Sequence, residues 1–133
     1  MNAQNVLAGI NPQKVSHVKG IFIDAEQLLA WNPDVIFIDR AGFQLVQTDL
    51  KTGWYNNINA LKNKRVHYLF PHNNYATNYE LVLMNAWLTG KTLYPDSFAD
   101  IDLKHKFDEI SQGFLRCNFD QIIDSTNNLN NAR

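Results

Sequence analysis

The sequence predicts an α/β fold, with a small, mainly parallel sheet layered between helices (αβα). Three observations carry this reading. "DVIFID" at 34–39 and "RVHYLF" at 65–70 are solid runs of β-branched, aliphatic and aromatic residues. Such runs, unlike alternating ones, mark strands covered on both faces. Segments of helical periodicity alternate with them, the order expected of an α/β layer structure. The chain has 133 residues, of which 45% are hydrophobic and 12% aromatic, enough to build one domain around a core.

Taken in order, "GIFI" at 20–23 is expected to be extended. "DAEQLLAW" opens a helix at Asp24, a good N-cap with Gln27 three residues on, and this helix stops before Pro33. After the first strand, "WYNNINALKNK" places Trp54, Ile58 and Leu61 on one helical stripe. After the second strand, "TNYELVLMNAWLTG" is the strongest helix. Thr77 and Glu80 match a capping box, and Gly90 falls where a C-terminal glycine belongs. Its apolar residues Leu81, Val82, Leu83, Met84, Ala86, Trp87 and Leu88 cover most of the circumference, so packing on more than one side is expected. A last helix near Leu103 to Arg116 carries Leu103, Phe107, Ile110 and Phe114 at helical spacing, with Asp102 as its cap. Strands this apolar call for neighbours on both sides, so the chain reads as part of a larger unit. One domain is expected over 1–124, and the polar, aperiodic "STNNLNNAR" at 125–133 is expected to be a flexible tail.

Charge is nearly balanced, with 12 basic and 13 acidic residues. Nothing in it advertises a nucleic-acid or membrane surface. No apolar run is long enough to span a bilayer, and no signal-peptide pattern opens the chain. Cys117 is the only cysteine, which excludes an internal disulfide.

Several chemistries lack their motifs: there is no glycine-rich phosphate loop, no paired-cysteine zinc spacing and no G-x-S-x-G elbow. "DIDLKHKFDE" lacks the glycine of a calcium loop, and its Asp100 and Asp102 read as helix caps. His17, His67 and His105 have no partners at ligand spacing. An enzyme using His72 as a base would need a nucleophile, an orienting acid or a cofactor loop, and none is recognisable. The ends of the strands remain. Ligands of open α/β sheets bind beyond the carboxyl ends of the strands. "DVIFID" delivers Arg40 there, and "RVHYLF" delivers the loop "PHNNYATNYE" with His72 and Tyr75, so these three are expected to face one crevice. The planar, permanently charged guanidinium suits carboxylates, catecholates and phosphates. The bland alternative is that Arg40 is a solvated loop residue and that Tyr75 and Tyr79 cover the sheet edge.

"DAEQLLAWNPDVIFID", "W…ALKNKRVHYL" and "TLYPDSFADIDLKHKFDEI", in that order, resemble the C-terminal lobe of the substrate-binding proteins of ABC importers for iron–siderophores, haem, vitamin B12 and related metal chelates. The resemblance runs from about Gln13 to Arg116. It implies part of a helical-hinge, class III binding protein, incomplete at its N-terminus over 1–124. Ligand would be held in a cleft between two lobes, without an intrinsic cofactor and without catalysis. Partners would be the metal-chelate ligand, the missing N-terminal lobe and an ABC permease, with an extracytoplasmic setting, periplasmic or as a lipoprotein. Residue by residue, Glu26 matches the carboxylate that docks on the permease, with Asp24 in place of a serine. Arg40 matches a chelate-contacting arginine, and Tyr75 matches a tyrosine of the following loop. A subgroup with similar loop wording handles iron or nickel chelates, which implies the alternative of a nickel or metal–amino-acid binding protein using His72 as a metal ligand. Half a cleft is expected to bind weakly, and the open sheet edge is expected to drive homodimer formation or a domain swap.

Overall fold

The computed structural model describes residues 25–74 and 76–122. The expected extended segment at 20–23, His17, the expected cap Asp24, Tyr75 and the expected tail at 125–133 lie outside the described residues. The chain divides into two compact units, one through Tyr68 and one from Leu69 onward. The architecture is α/β, with a small parallel two-stranded sheet among helices.

In the first unit, α1 (Ala25–Trp31) leads to β1 (Ile36–Asp39), a 3-10 turn (Arg40–Gly42), α2 (Phe43–Leu50), the short α3 (Asn59–Lys62) and β2 (Val66–Leu69), which pairs with β1. The "NPD" after α1 does specific structural work. Asn32 takes a left-handed φ of 41° and its N–H donates to the Leu28 carbonyl at 3.1 Å, closing the helix as asparagine can. The Asn32 Oδ1 accepts from the Asn59 N–H at 2.8 Å, and the Asp34 Oδ1 accepts from Asn59 Nδ2 at 3.2 Å. The Ala60 N–H donates to the Pro33 carbonyl at 2.9 Å. A remote asparagine thus caps α3, whose own preceding residue, Ile58, offers no side-chain acceptor. Ile58 and Ala60 are the buried apolar residues described in this unit. Arg65 then donates to the Ala60 carbonyl at 2.7 Å, and Ile36 donates to the Arg65 carbonyl at 3.1 Å, which registers the strands.

Successive residues of β2 serve opposite faces. His67 packs its ring against Phe37 at 5.7 Å, and Tyr68 meets Phe43 of α2 edge-on at 5.1 Å. The strands are half-buried rather than fully enclosed, because each has only one hydrogen-bonded neighbour among the described residues. One expectation needs correction here. The helix expected across Trp54–Lys64 is a single turn. Gly53 takes φ +76°, and Asn56 and Asn57 favour the turns that follow it, so Trp54 is left 68% exposed. In its place α2 forms earlier, carrying Phe43, Val46 and Leu50 at spacings of three and four.

In the second unit, β3 (Asn73–Asn74) and β4 (Ala76–Thr77) form a small antiparallel hairpin, with Asn73 opposite Thr77 and Asn74 opposite Ala76. There follow α4 (Tyr79–Leu93), a 3-10 turn (Pro95–Phe98) and α5 (Leu103–Leu115), with a further helical turn from Phe119. Met84, Phe107 and Ile110 form the core, and Phe70, Leu81, Trp87, Leu88, Leu103, Phe119 and Ile122 surround it. Phe70, Phe107 and Phe119 make a mutual triad with ring centroids 5.0–5.6 Å apart. Each such pair adds about 0.5–1.5 kcal/mol beyond the area it buries. Asp102 caps α5 as expected, accepting from Lys104 N–H at 2.8 Å and His105 N–H at 3.3 Å. Asp108 accepts from the Phe119 N–H at 2.9 Å and so starts the last turn.

Four expectations about these helices are corrected. Thr77 makes no capping box: it belongs to β4, with its hydroxyl 3.4 Å from Asn73 Oδ1, and Asn78 stands at the helix start. Gly90 is interior to α4, not beyond its end. A Cβ there would lie 2.7 Å from Phe98 Cζ, so the glycine serves the close approach of that ring. The apolar cover expected over most of the circumference of α4 includes an exposed side, where Val82, Leu83 and Ala86 lie open beside Tyr79. Phe114, on the expected stripe of α5, is 53% exposed.

Candidate functional site

Arg40 follows β1 directly, at the carboxyl end of the strand. Asp39 Oδ1 accepts from the Ala41 N–H at 2.9 Å, capping the 3-10 turn as soon as the strand stops. This short-range bond fixes the backbone on both sides of Arg40 and leaves its side chain exposed. Among the described residues no ion pair or side-chain hydrogen bond engages the guanidinium. Glu26 lies in the first turn of α1, also exposed, so its carboxylate is open to a partner. Arg40 and Glu26 both belong to the first unit.

The loop after β2 belongs to the second unit. Phe70 is held by Asn85 of α4 through two bonds: the Phe70 N–H donates to Asn85 Oδ1 at 2.8 Å, and Asn85 Nδ2 donates to the Phe70 carbonyl at 2.9 Å. The carboxamide thus continues for one residue the pairing that a neighbouring strand would give. Asn85 is 8% exposed, and both of its polar atoms are satisfied. Two residues on, the His72 carbonyl accepts from the Asn78 N–H at 2.8 Å, closing the base of the β3–β4 hairpin. His72 is half-buried at this base. Tyr75, between the two short strands in sequence, lies outside the described residues.

No group of three or more His, Cys, Asp or Glu side chains converges to hold a metal among the described residues. His72 therefore has no such partners there. No helix among the described residues is long and apolar enough to cross a membrane. Of the residues at this loop, sequence reasoning missed Asn85. The available signal was a lone carboxamide inside the apolar run "LVLMNAWL", since a buried asparagine must find partners.

No known protein-family profile matches the chain. The chain is 35% identical over 101 residues to the molybdate-binding protein MolA of Haemophilus influenzae, a match covering 73% of this chain and 28% of MolA. The solved structure of the molybdate periplasmic binding protein MolA of that organism, bound to molybdate, superposes with a TM-score of 0.58 at 32% identity, over 73% of this chain and 30% of that one. A periplasmic solute-binding protein of Veillonella parvula superposes with a TM-score of 0.56 at 25% identity, over 78% of this chain and 34% of that one. The chain is thus homologous, over part of its length, to periplasmic solute-binding proteins of ABC importers, and its α/β architecture matches part of such a lobe.

Proposed function

We propose that the chain is part of the solute-binding component of an ABC importer and that its ligand is a metal oxyanion of the molybdate class. The observation that carries this reading is the 35% identity over 101 residues to a protein that binds molybdate. Arg40 supports it chemically. An exposed guanidinium at a strand's carboxyl end, free of internal ion pairs among the described residues, offers a fork of donors to tetrahedral oxyanions. His72 and Tyr75 are assigned as further ligand contacts, by position in the loop after β2. Glu26 is assigned to the permease. The setting is extracytoplasmic, and the work is capture and delivery, with no bond made or broken in the ligand.

A ferric siderophore, the ligand class to which the sequence motifs point, meets the same guanidinium through catecholate or carboxylate oxygens, so titration must separate the two. Calorimetry of the chain with molybdate, tungstate, sulfate and a ferric catecholate siderophore provides the test. Molybdate and tungstate are expected to bind, and Arg40→Ala is expected to weaken them about ten-fold or more, the loss of one charged hydrogen-bonding partner. Binding of the ferric siderophore without molybdate overturns the oxyanion assignment. Absence of heat with every ligand at millimolar concentration overturns the binding role.

A further inference from the structure

We infer that Asn85 is a positioning residue for the ligand loop, holding the segment that carries His72 through the backbone of Phe70. The inference rests on the proposed ligand role of that loop and goes beyond it, because Asn85 lies outside the loop, buried in α4.

The geometry is specific. A strand that ends without a neighbour leaves both a backbone N–H and a C=O unsatisfied, and burying them unpaired is costly. At Phe70 both groups are met by one carboxamide, at 2.8 and 2.9 Å. A planar amide is the side chain that can accept and donate side by side, as a peptide does. A hydroxyl supplies one donor on a single atom, and an aliphatic residue supplies nothing. The clamp therefore sets where β2 stops and the loop starts. Pro71 follows at once with φ fixed by its ring, so the direction in which His72 leaves is set by the clamped residue. The loop then closes on itself through the Asn78 N–H and the His72 carbonyl at 2.8 Å. Phe70 also seats its ring on Phe107 and Phe119, so the anchor is tied to the core. Within the core-facing part of α4, Met84 is buried beside Asn85. A polar residue buried at this point is explained by the loop it holds, since apolar replacement of a single buried polar group leaves its partners unsatisfied.

The test uses Asn85→Leu, which keeps the branched heavy-atom skeleton and removes both bonds, and Asn85→Asp, which keeps the acceptor for the Phe70 N–H and removes the donor. Amide hydrogen exchange is read at Asn78 in the loop and, as a reference in the same unit, at Lys106 of α5, whose N–H donates to the Asp102 carbonyl. Molybdate affinity is measured alongside. The expected result is that Asn78 exchanges about ten-fold or more faster in Asn85→Leu relative to Lys106, with Asn85→Asp in between, and that molybdate affinity falls in the same order. Equal acceleration at both amides shows a general loss of stability and overturns the positioning role. So does a loosened loop with unchanged affinity. Failure of the unsubstituted chain to bind molybdate, with the loop still loosened in the variants, overturns the ligand role of the loop instead, and the two failures are thereby told apart.

Discussion

Gly90→Ala separates two explanations of the same glycine. The new Cβ would lie 2.7, 3.0 and 3.2 Å from three atoms of the Phe98 ring. Carbon atoms attract best at about 3.5–4.0 Å, so the tip of the ring must retreat by about 1 Å. The ring is not free to do so without loss, since it packs edge-on against Trp87 at 5.8 Å between centroids. Overpacking of this kind costs about 1–3 kcal/mol. Replacing a glycine inside a helix returns up to about 1 kcal/mol. The net expectation is a destabilisation of about 0–2 kcal/mol. The double variant decides the cause. Once Phe98→Ala has removed the ring, the methyl has room, and Gly90→Ala becomes stabilising by about 1 kcal/mol. Urea denaturation of the four proteins, followed by circular dichroism, gives the coupling energy. A cost for Gly90→Ala that is the same with and without the ring would falsify the close-approach explanation. That equality is what a left-handed helix terminus would give, and Gly90 has no such backbone angle.

Three further outcomes follow from local geometry. Asp102→Ala removes the acceptor for Lys104 and His105 N–H and is expected to cost about 1 kcal/mol, read as a lower urea midpoint, while Asp102→Asn retains most of it. Asn32→Gly keeps the left-handed backbone but loses the cap on Asn59, whereas Asn32→Ala loses both; the glycine variant should therefore fall between wild type and alanine within about 2 kcal/mol, and equal stability of all three would refute the bracket. The Glu109 carboxyl is held below its ordinary value of 4.5 first by the hydrogen bond and then by the charge of Lys106, with His105 adding a smaller pull. Its folded-state value being the lower one, its contribution is present above the ordinary value and disappears as pH falls through the folded one. Glu109 is exposed, so the effect is small; the stability gap between wild type and Glu109→Gln should close on acidification, and a gap that widens contradicts the pairing.

The parts of the fold legible in the sequence are those set by strong local patterns. The two apolar strands, α1 closed before Pro33, and α5 with its Asp102 cap all form where composition and capping place them. The misreadings have a common cause, a local signal overruled by a partner elsewhere. Thr77 and Glu80 have the spacing of a capping box, yet Thr77 is drawn into pairing with Asn73. Gly90 has the composition of a helix end, yet Phe98 from the next turn makes its missing Cβ useful inside the helix. Trp54 fits a helical stripe only if Gly53 and two asparagines are ignored, and their turn preference prevails. The helix that does form, α2, was hidden because its exposed face carries Leu45 and its stripe is only three residues long.

The candidate site divides in the same way. After β1, the turn is held by Asp39 bonding two residues ahead, a contact visible to anyone reading "IDRAG" as a strand running into a side-chain-capped turn. Arg40 was accordingly legible as an exposed strand-end cation. After β2, the loop is held by Asn85, 15 residues away in sequence and in a different element. No window of the sequence joins these two residues, so the loop was legible while its support was not. The two devices also differ in consequence. Loss of the Asp39 bond frees only the turn that contains Arg40. Loss of the Asn85 bonds leaves the part-buried Phe70 N–H and C=O without these partners, so loosening the loop and destabilising α4 against Phe70 become one event. The anchor at Phe70 is thus made by residue 85 alone and by no side chain of the loop itself: substitution at 85 removes both bonds at the point where the loop begins.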